Sequence, residues 1–263
     1  MKKITVQTLC DAMNRIAPKN LAEDWDNPGL LVGDPSQEIK KILLCLDISD
    51  EIINHAVEIN AQMIVTHHPM IFRAIKNIRT DLPLGKKISK LIKHNISVFA
   101  AHTNLDSAIG GVNDVLAKKL GLIDVKTFDE EISLGRIGRL ENPMTVEEFA
   151  NHVKKSLNVD SIRLVKAGDF TIKKVGICGG AGSEFISKAK FLGADAFVTG
   201  DVKYHEAQSA FDNKIHVVDA GHFATEFPIV HALSERLKEE FNYLNIEIEV
   251  IEDTSAKDFF VNF

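Results

Sequence analysis

The 263-residue chain has little of what would place it in a specialised class. It has three cysteines, Cys10, Cys45 and Cys178. So few, and an odd number, argue against a disulfide framework. Cys45 and Cys178 lie inside apolar runs and read as buried thiols in a reducing compartment. No apolar run approaches the ~20 residues needed to span a bilayer. Met1-Lys2-Lys3 opens with the charge of a signal peptide, but neither a continuous apolar stretch nor a small-residue cleavage site follows. The expectation is a cytoplasmic protein without a membrane partner. Positive charge is not in excess: 31 Lys and Arg stand against 37 Asp and Glu, for a formal charge of −6. That balance disfavours general binding of nucleic acid. A GxSxG elbow and a Cys/His protease dyad are both missing. The Gly179-Gly180-Ala181-Gly182-Ser183 turn lacks the Lys and the spacing of a P-loop and reads as a tight strand-to-helix connection.

What is present is an ordinary globular composition, 45% apolar and 26% charged, on a chain long enough to bury a sizeable core. Apolar periodicity predicts a helix over 6–16, stopped by Pro18, then strands over 41–47, 62–66 and 96–101. Helices fall between them, one N-capped by Ser49 and one running to His94, and another follows Gly110-Gly111. Further on, strands are expected over 133–140, 161–166, 174–178, 196–199, 215–219 and 246–251. The intervening helices span 183–192, 204–211 and 227–243, and one begins at the capping box Thr145/Glu148. Alternating strands and helices with short connections predict an α/β fold with mostly parallel or mixed sheets flanked by helices.

The two halves resemble each other. Ile39-Lys40-Lys41-Ile42 matches Ile172-Lys173-Lys174-Val175, and the same offset pairs Cys45 with Cys178 and Val65-Thr66 with Val198-Thr199. Further along, Ala101-His102 pairs with Gly221-His222 and Asp106 with Glu226, the first half carrying a longer loop. Any two strand-helix-strand units share a hydrophobic pattern, but a shared Ile-Lys-Lys start, Cys and His-x-x-x-acid are harder to obtain by chance. We therefore expect an internal duplication into two similar lobes, 1–125 and 126–263, with a metal site between them.

Three motifs carry the chemistry, each just past a predicted strand: Thr66-His67-His68-Pro69, His102-x-x-x-Asp106 and His222-x-x-x-Glu226. Open α/β sheets bind ligands beyond the carboxyl ends of their strands. Imidazole and carboxylate without thiolate suit Zn, Fe, Mn or Ni. Six donors exceed the needs of one tetrahedral ion and suit two ions at ~3.5–4 Å. His67 and His68 would point apart if extended, so either each serves a different ion or the chain turns at Pro69. Gly200-Asp201 replaces His67-His68 in the second half, so one composite site is expected rather than two equal ones. Asp201, Tyr204, His205 and Glu206 follow and could face the same cleft, but as ligands they read first as the start of a solvated helix. His55, His94, His152, His216 and His231 read as surface or hydrogen-bonded residues.

These motifs, with Trp25-Asp26-Asn27-x-Gly29 and His102-Thr103-Asn104-x-Asp106, resemble the GTP cyclohydrolase 1 type 2 family, also called the NGG-interacting-factor-like dinuclear metal family. The resemblance implies two divalent ions per subunit held by His67, His68, Asp106, His222 and Glu226. His102 would be a sixth ligand or a support for one. It also implies a homohexamer built as a trimer of dimers. The extra domain inserted between the halves of longer members is expected to be absent. The family name implies hydrolytic opening of the GTP imidazole ring, giving formate and dihydroneopterin triphosphate. For such a reaction a nearby histidine, His102 or His205, is the candidate to relay protons. A metal-dependent hydrolase of another substrate, such as a phosphoester, and a non-enzymatic metal-binding scaffold or regulator are the alternatives.

Overall fold

The computed structural model describes residues 4–128 and 133–261. Lys2 and Lys3, weighed above as a signal-peptide start, lie outside them. Two compact units divide the chain, the first Met1–Ala108 with Ile229–Ala256, the second Ile109–Pro228 with Lys257–Phe263.

In the first unit, α1 (Val6–Ile16) starts at a capping box in which the Thr5 and Thr8 side chains serve each other's backbone N–H. Its buried residues Val6, Leu9, Met13 and Ile16 recur at helical spacing. Then come β1 (Gly29–Val32), β2 (Lys41–Cys45), α2 (Asp50–Glu58), β3 (Met63–Thr66), α3 (Pro83–Lys93), β4 (Ser97–Ala100) and the single-turn α4 (Thr103–Ser107). The Ser49 hydroxyl caps α2 by accepting from Ile52 N, and Pro83 opens α3 where its missing N–H is harmless. Strands β2, β3 and β4 run parallel, and β1 lies antiparallel against β4. All four residues of β3 and of β4 are buried, as expected of strands covered on both faces.

The second unit contains α5 (Val112–Lys119), β5 (Ile123–Lys126), β6 (Arg136–Met144), α6 (Val146–Leu157), β7 (Arg163–Val165) and β8 (Ile172–Ile177). It continues with α7 (Ile186–Phe191), β9 (Ala196–Thr199), α8 (Tyr204–Asp212), β10 (His216–Asp219) and α9 (His222–Glu226). The capping box expected at Thr145 and Glu148 forms at the start of α6. Its sheet is ordered β5-β6-β8-β9-β10-β7, with β8, β9 and β10 parallel and the other pairings antiparallel. Phe149, Val153, Ile172, Val175 and Val198 are among the buried residues of one core layer. The chain then returns to the first unit with α10 (Pro228–Tyr243) and β11 (Glu249–Glu252), which pairs parallel with β2.

The duplication is visible in the topology. The run β2-α2-β3-α3-β4-α4 has the same order and strand directions as β8-α7-β9-α8-β10-α9, and each third strand carries an antiparallel edge strand, β1 or β7. The units differ beside the first strand of the run, where β11 is parallel and β6 antiparallel.

The chain does not divide by a simple cut after residue 125, because α5 and β5 belong with the second unit and α10 and β11 with the first. Among the described residues, no helix is long and apolar enough to cross a membrane.

Candidate metal centre

Because β3 and β4 are parallel, the chain leaving each of them enters the same edge of the sheet. Past β3, His67 N and His68 N still donate to Cys45 O and Leu46 O, at 3.3 and 3.0 Å, and the buried Thr66 hydroxyl donates to Leu46 O at 2.8 Å. The backbone is thereby pinned while it bends, and the adjacent rings come together with centroids 4.9 Å apart. Of the two arrangements open for this pair, the chain turns. The His102 ring lies 5.3 Å from that of His67 and 5.7 Å from that of His68. One nitrogen from each of the three falls within 4.8 Å of the others, a grouping able to hold a metal ion.

Each ring is held from behind. His67 Nδ1 is 2.8 Å from Ala101 O, His68 Nδ1 is 2.8 Å from Asp47 Oδ1, and His102 Nδ1 is 2.8 Å from Asp26 Oδ1. Carbonyl and carboxylate oxygens only accept, so Nδ1 carries the hydrogen and the neutral ring keeps its lone pair on Nε2. Such backing fixes ring orientation and raises ligand basicity in metal sites. The Asp26 carboxylate is itself clasped, Oδ1 by Asn27 N and Oδ2 by Thr103 N and the Thr103 hydroxyl, at 2.7, 3.0 and 2.5 Å. Burial alone would raise its pKa, but the hydrogen bonds it accepts from His102, Thr103 and Asn27 N outweigh it and hold the pKa down to about 2. Asp106 follows His102 by one turn on α4, its N–H donating to His102 O at 3.0 Å, and its Oδ1 lies 3.5 Å from His67 Nε2.

The second unit builds the matching pair. His222 and Glu226 are one turn apart on α9, with Nε2 and Oε2 separated by 3.1 Å, and Glu226 is buried. His222 Nδ1 is 2.8 Å from Asp201 Oδ2. The residue that stands where the repeat places His68 therefore supports an imidazole. The glycine turn has a steric purpose here. At Gly180, φ is +63° and a Cβ would fall 2.2 Å from Glu226 Oε1; at Gly200 it would fall 2.6 Å from His222 N. The turn makes room for the carboxylate instead of offering a phosphate cradle.

His205 stands exposed on α8 with Nδ1 3.4 Å from Gln208 Oε1, and Tyr204 beside it is 80% exposed. Glu206 caps that helix by accepting from Lys203 N at 2.7 Å. Three of the five remaining histidines have other employment: His152 lies 2.9 Å from Leu120 O, His231 pairs with Glu252, and His216 is buried against Phe170. The motifs did not reveal the roles of Asp26, Asp47 and Asp201. In the sequence Asp26 stands out only as part of the Trp25-Asp26-Asn27-x-Gly29 motif and Asp201 only as the counterpart of His68, while Asp47 has no signal beyond a carboxylate at a strand end.

The donor set in each unit is nitrogen and oxygen without thiolate, which fits Zn, Fe, Mn or Ni. Histidine–carboxylate clusters at the strand ends of duplicated α/β units define the class. The model of the Duf34/NIF3 (NGG1p interacting factor 3) family matches residues 4–257, and the chain belongs to that family. A Clostridium perfringens protein named GTP cyclohydrolase 1 type 2 homolog is 44% identical over 250 residues, covering 92% of this chain and 94% of that one. The crystal structure of a Bacillus cereus protein related to NIF3 superposes with a TM-score of 0.94 at 26% identity, over 100% of both chains. Reduced HcgD from Methanocaldococcus jannaschii superposes with a TM-score of 0.83 at 30% identity, over 96% of this chain and 98% of that one.

Proposed function

We propose that this protein is a divalent-metal-dependent hydrolase in which His67, His68, Asp106, His222 and Glu226, together with His102, hold two ions. The observation that carries the reading is the backing of His67, His68 and His102 through Nδ1, which costs ordering entropy and has its use when Nε2 binds a cation. Divalent ions in such a site supply Lewis acidity and make water nucleophilic near neutral pH. The protein's own part is to fix the imidazoles, through Asp26, Asp47 and Asp201, and to hold Asp106 and Glu226 one helical turn from a histidine. His102, with Nδ1 on Asp26 and Nε2 committed to an ion in this reading, has no ring nitrogen left for moving a proton, and His205 faces Gln208, so neither candidate is assigned that role.

The name of the Clostridium relative supports GTP as the substrate, and the reaction we propose opens its imidazole ring to give formate and dihydroneopterin triphosphate. The proposal includes assembly of the 29.1 kDa chain into a hexamer of paired subunits, which light scattering on the purified protein reads directly. The test of function is formate release from GTP by metal-replete protein, compared with His68→Ala. Release by the parent and loss in the variant is expected. Metal-replete protein that releases no formate overturns the assignment of substrate, and activity on phosphodiesters instead would place the chemistry on a phosphoester.

A further inference from the structure

One pair of aromatic side chains near the histidines is not explained by packing. Trp25 is 57% exposed and Phe72 44% exposed. They sit on separate loops, yet their ring centroids are 5.7 Å apart at 56°. Both rings also face His102, Trp25 at 6.1 Å and Phe72 at 6.2 Å, edge to face. The two loops are latched together: Asn27 Nδ2 donates to Ile71 O at 2.7 Å. Below Trp25, Asp26 N donates to Glu23 O at 3.0 Å, Glu23 N donates to the Thr103 hydroxyl at 3.0 Å, and the Asp26 carboxylate is clasped as described above. The backbone on both sides of the pair is therefore fixed while the aromatic faces stay in water.

Leaving an indole and a phenyl ring half in water forgoes the burial that aromatic side chains normally gain. A rigid, exposed aromatic pair is what a stacking platform for a planar ring needs. We propose that Trp25 and Phe72 bind the planar heteroaromatic ring of the substrate by stacking and hold it beside His102. This rests on the hydrolase reading for its substrate class, a nucleobase-bearing molecule, but the stacking itself requires neither bound metal nor turnover.

Trp25 is the only tryptophan in the chain, so its fluorescence reports the platform alone. The experiment titrates chelator-treated protein with GTP, with guanosine and with inorganic tripolyphosphate. Saturable quenching by GTP and guanosine but not by tripolyphosphate is expected, and Phe72→Ala should weaken guanosine binding on the order of 10- to 100-fold, the usual worth of one stacking contact. Calorimetry on Trp25→Ala should show a similar loss, and Trp25→Phe should restore most of it. Both side chains lie half outside the core, so the variants fold, which circular dichroism checks. Absence of quenching, unchanged affinity in Phe72→Ala, or an emission maximum that moves with protein concentration, meaning that a second copy covers the pair, would each overturn the proposal. Guanosine binding without formate release would count against the hydrolase reading and leave the platform standing, whereas formate release with an unchanged KM in Trp25→Ala would do the reverse.

Discussion

Replacing Asp26 by Asn separates metal support from bulk. The side chain has no exposed surface, and Asn matches its shape. Oδ1 accepts from His102 Nδ1 and Asn27 N, and Oδ2 from Thr103 N and the Thr103 hydroxyl. An amide has one oxygen. If it keeps His102 and Asn27, the NH2 group faces Thr103; the hydroxyl can rotate to accept, but the Thr103 backbone N–H cannot. One charge-assisted hydrogen bond is lost, at a cost of about 1.5–3 kcal/mol. His102 keeps its orientation but faces a neutral acceptor, and such changes behind a metal-binding histidine typically lower metal affinity by about 10–100-fold. Denaturant unfolding of metal-free protein reads the first quantity, and chelator competition with zinc or manganese reads the second. Lower stability with metal affinity unchanged within about threefold would refute the reasoning, because Asp26 would then be a structural clasp and nothing more.

Gly180→Ala should lower metal affinity and cost more stability than Gly121→Ala. Both positions have a left-handed φ, +63° and +65°, but only at Gly180 does the new Cβ meet Glu226, Gly121 having nothing within 4 Å; paired unfolding and metal-binding curves compare them. Phe149→Ala removes a fully buried ring from the second unit's core and should cost about 3–5 kcal/mol in denaturant unfolding, within the range measured for such truncations. Burial pushes the His216 pKa below its ordinary value. The unfolded chain then binds a proton that the folded one resists, so His216 contributes stability that is present above about pH 6.5 and lost as the pH falls. His216→Leu should flatten that acid slope in urea melts taken between neutral pH and pH 5, and an unchanged slope would show that His216 is not its source.

The sequence disclosed much of this fold because its strands are fully buried and parallel. Runs such as Met63–Thr66 and Ala196–Thr199 are continuous apolar blocks ended by polar residues, and they fall where expected. β1 escaped notice because its four residues are only partly buried except for Val32, and it opens on Gly29 and is followed by Gly33, both at φ +121°. The helices α4 and α9 are five residues long, too short for periodicity to reveal. Yet they explain the His-x-x-x-acid spacing, since one helical turn puts residue i+4 beside residue i. The repeat singled out His102 with Asp106 and His222 with Glu226 but gave no sign of what holds the rings. Asp26, Asp47 and Asp201 reach their histidines across 76, 21 and 21 residues of chain, and only the folded sheet edge brings them there. The final strand shows the same limit: pairing of β11 with β2 is a long-range choice invisible in local pattern.

The central claim is that these histidines and carboxylates jointly bind divalent cations. Elemental analysis of the purified protein beside His68→Ala and Glu226→Ala tests it most directly. The account predicts about two ions per chain in the parent, the occupancy proposed for a paired site, and a clear loss in each variant. A parent that holds no stoichiometric metal after incubation with zinc, manganese, iron or nickel, or variants that retain the parent's full content, would contradict it.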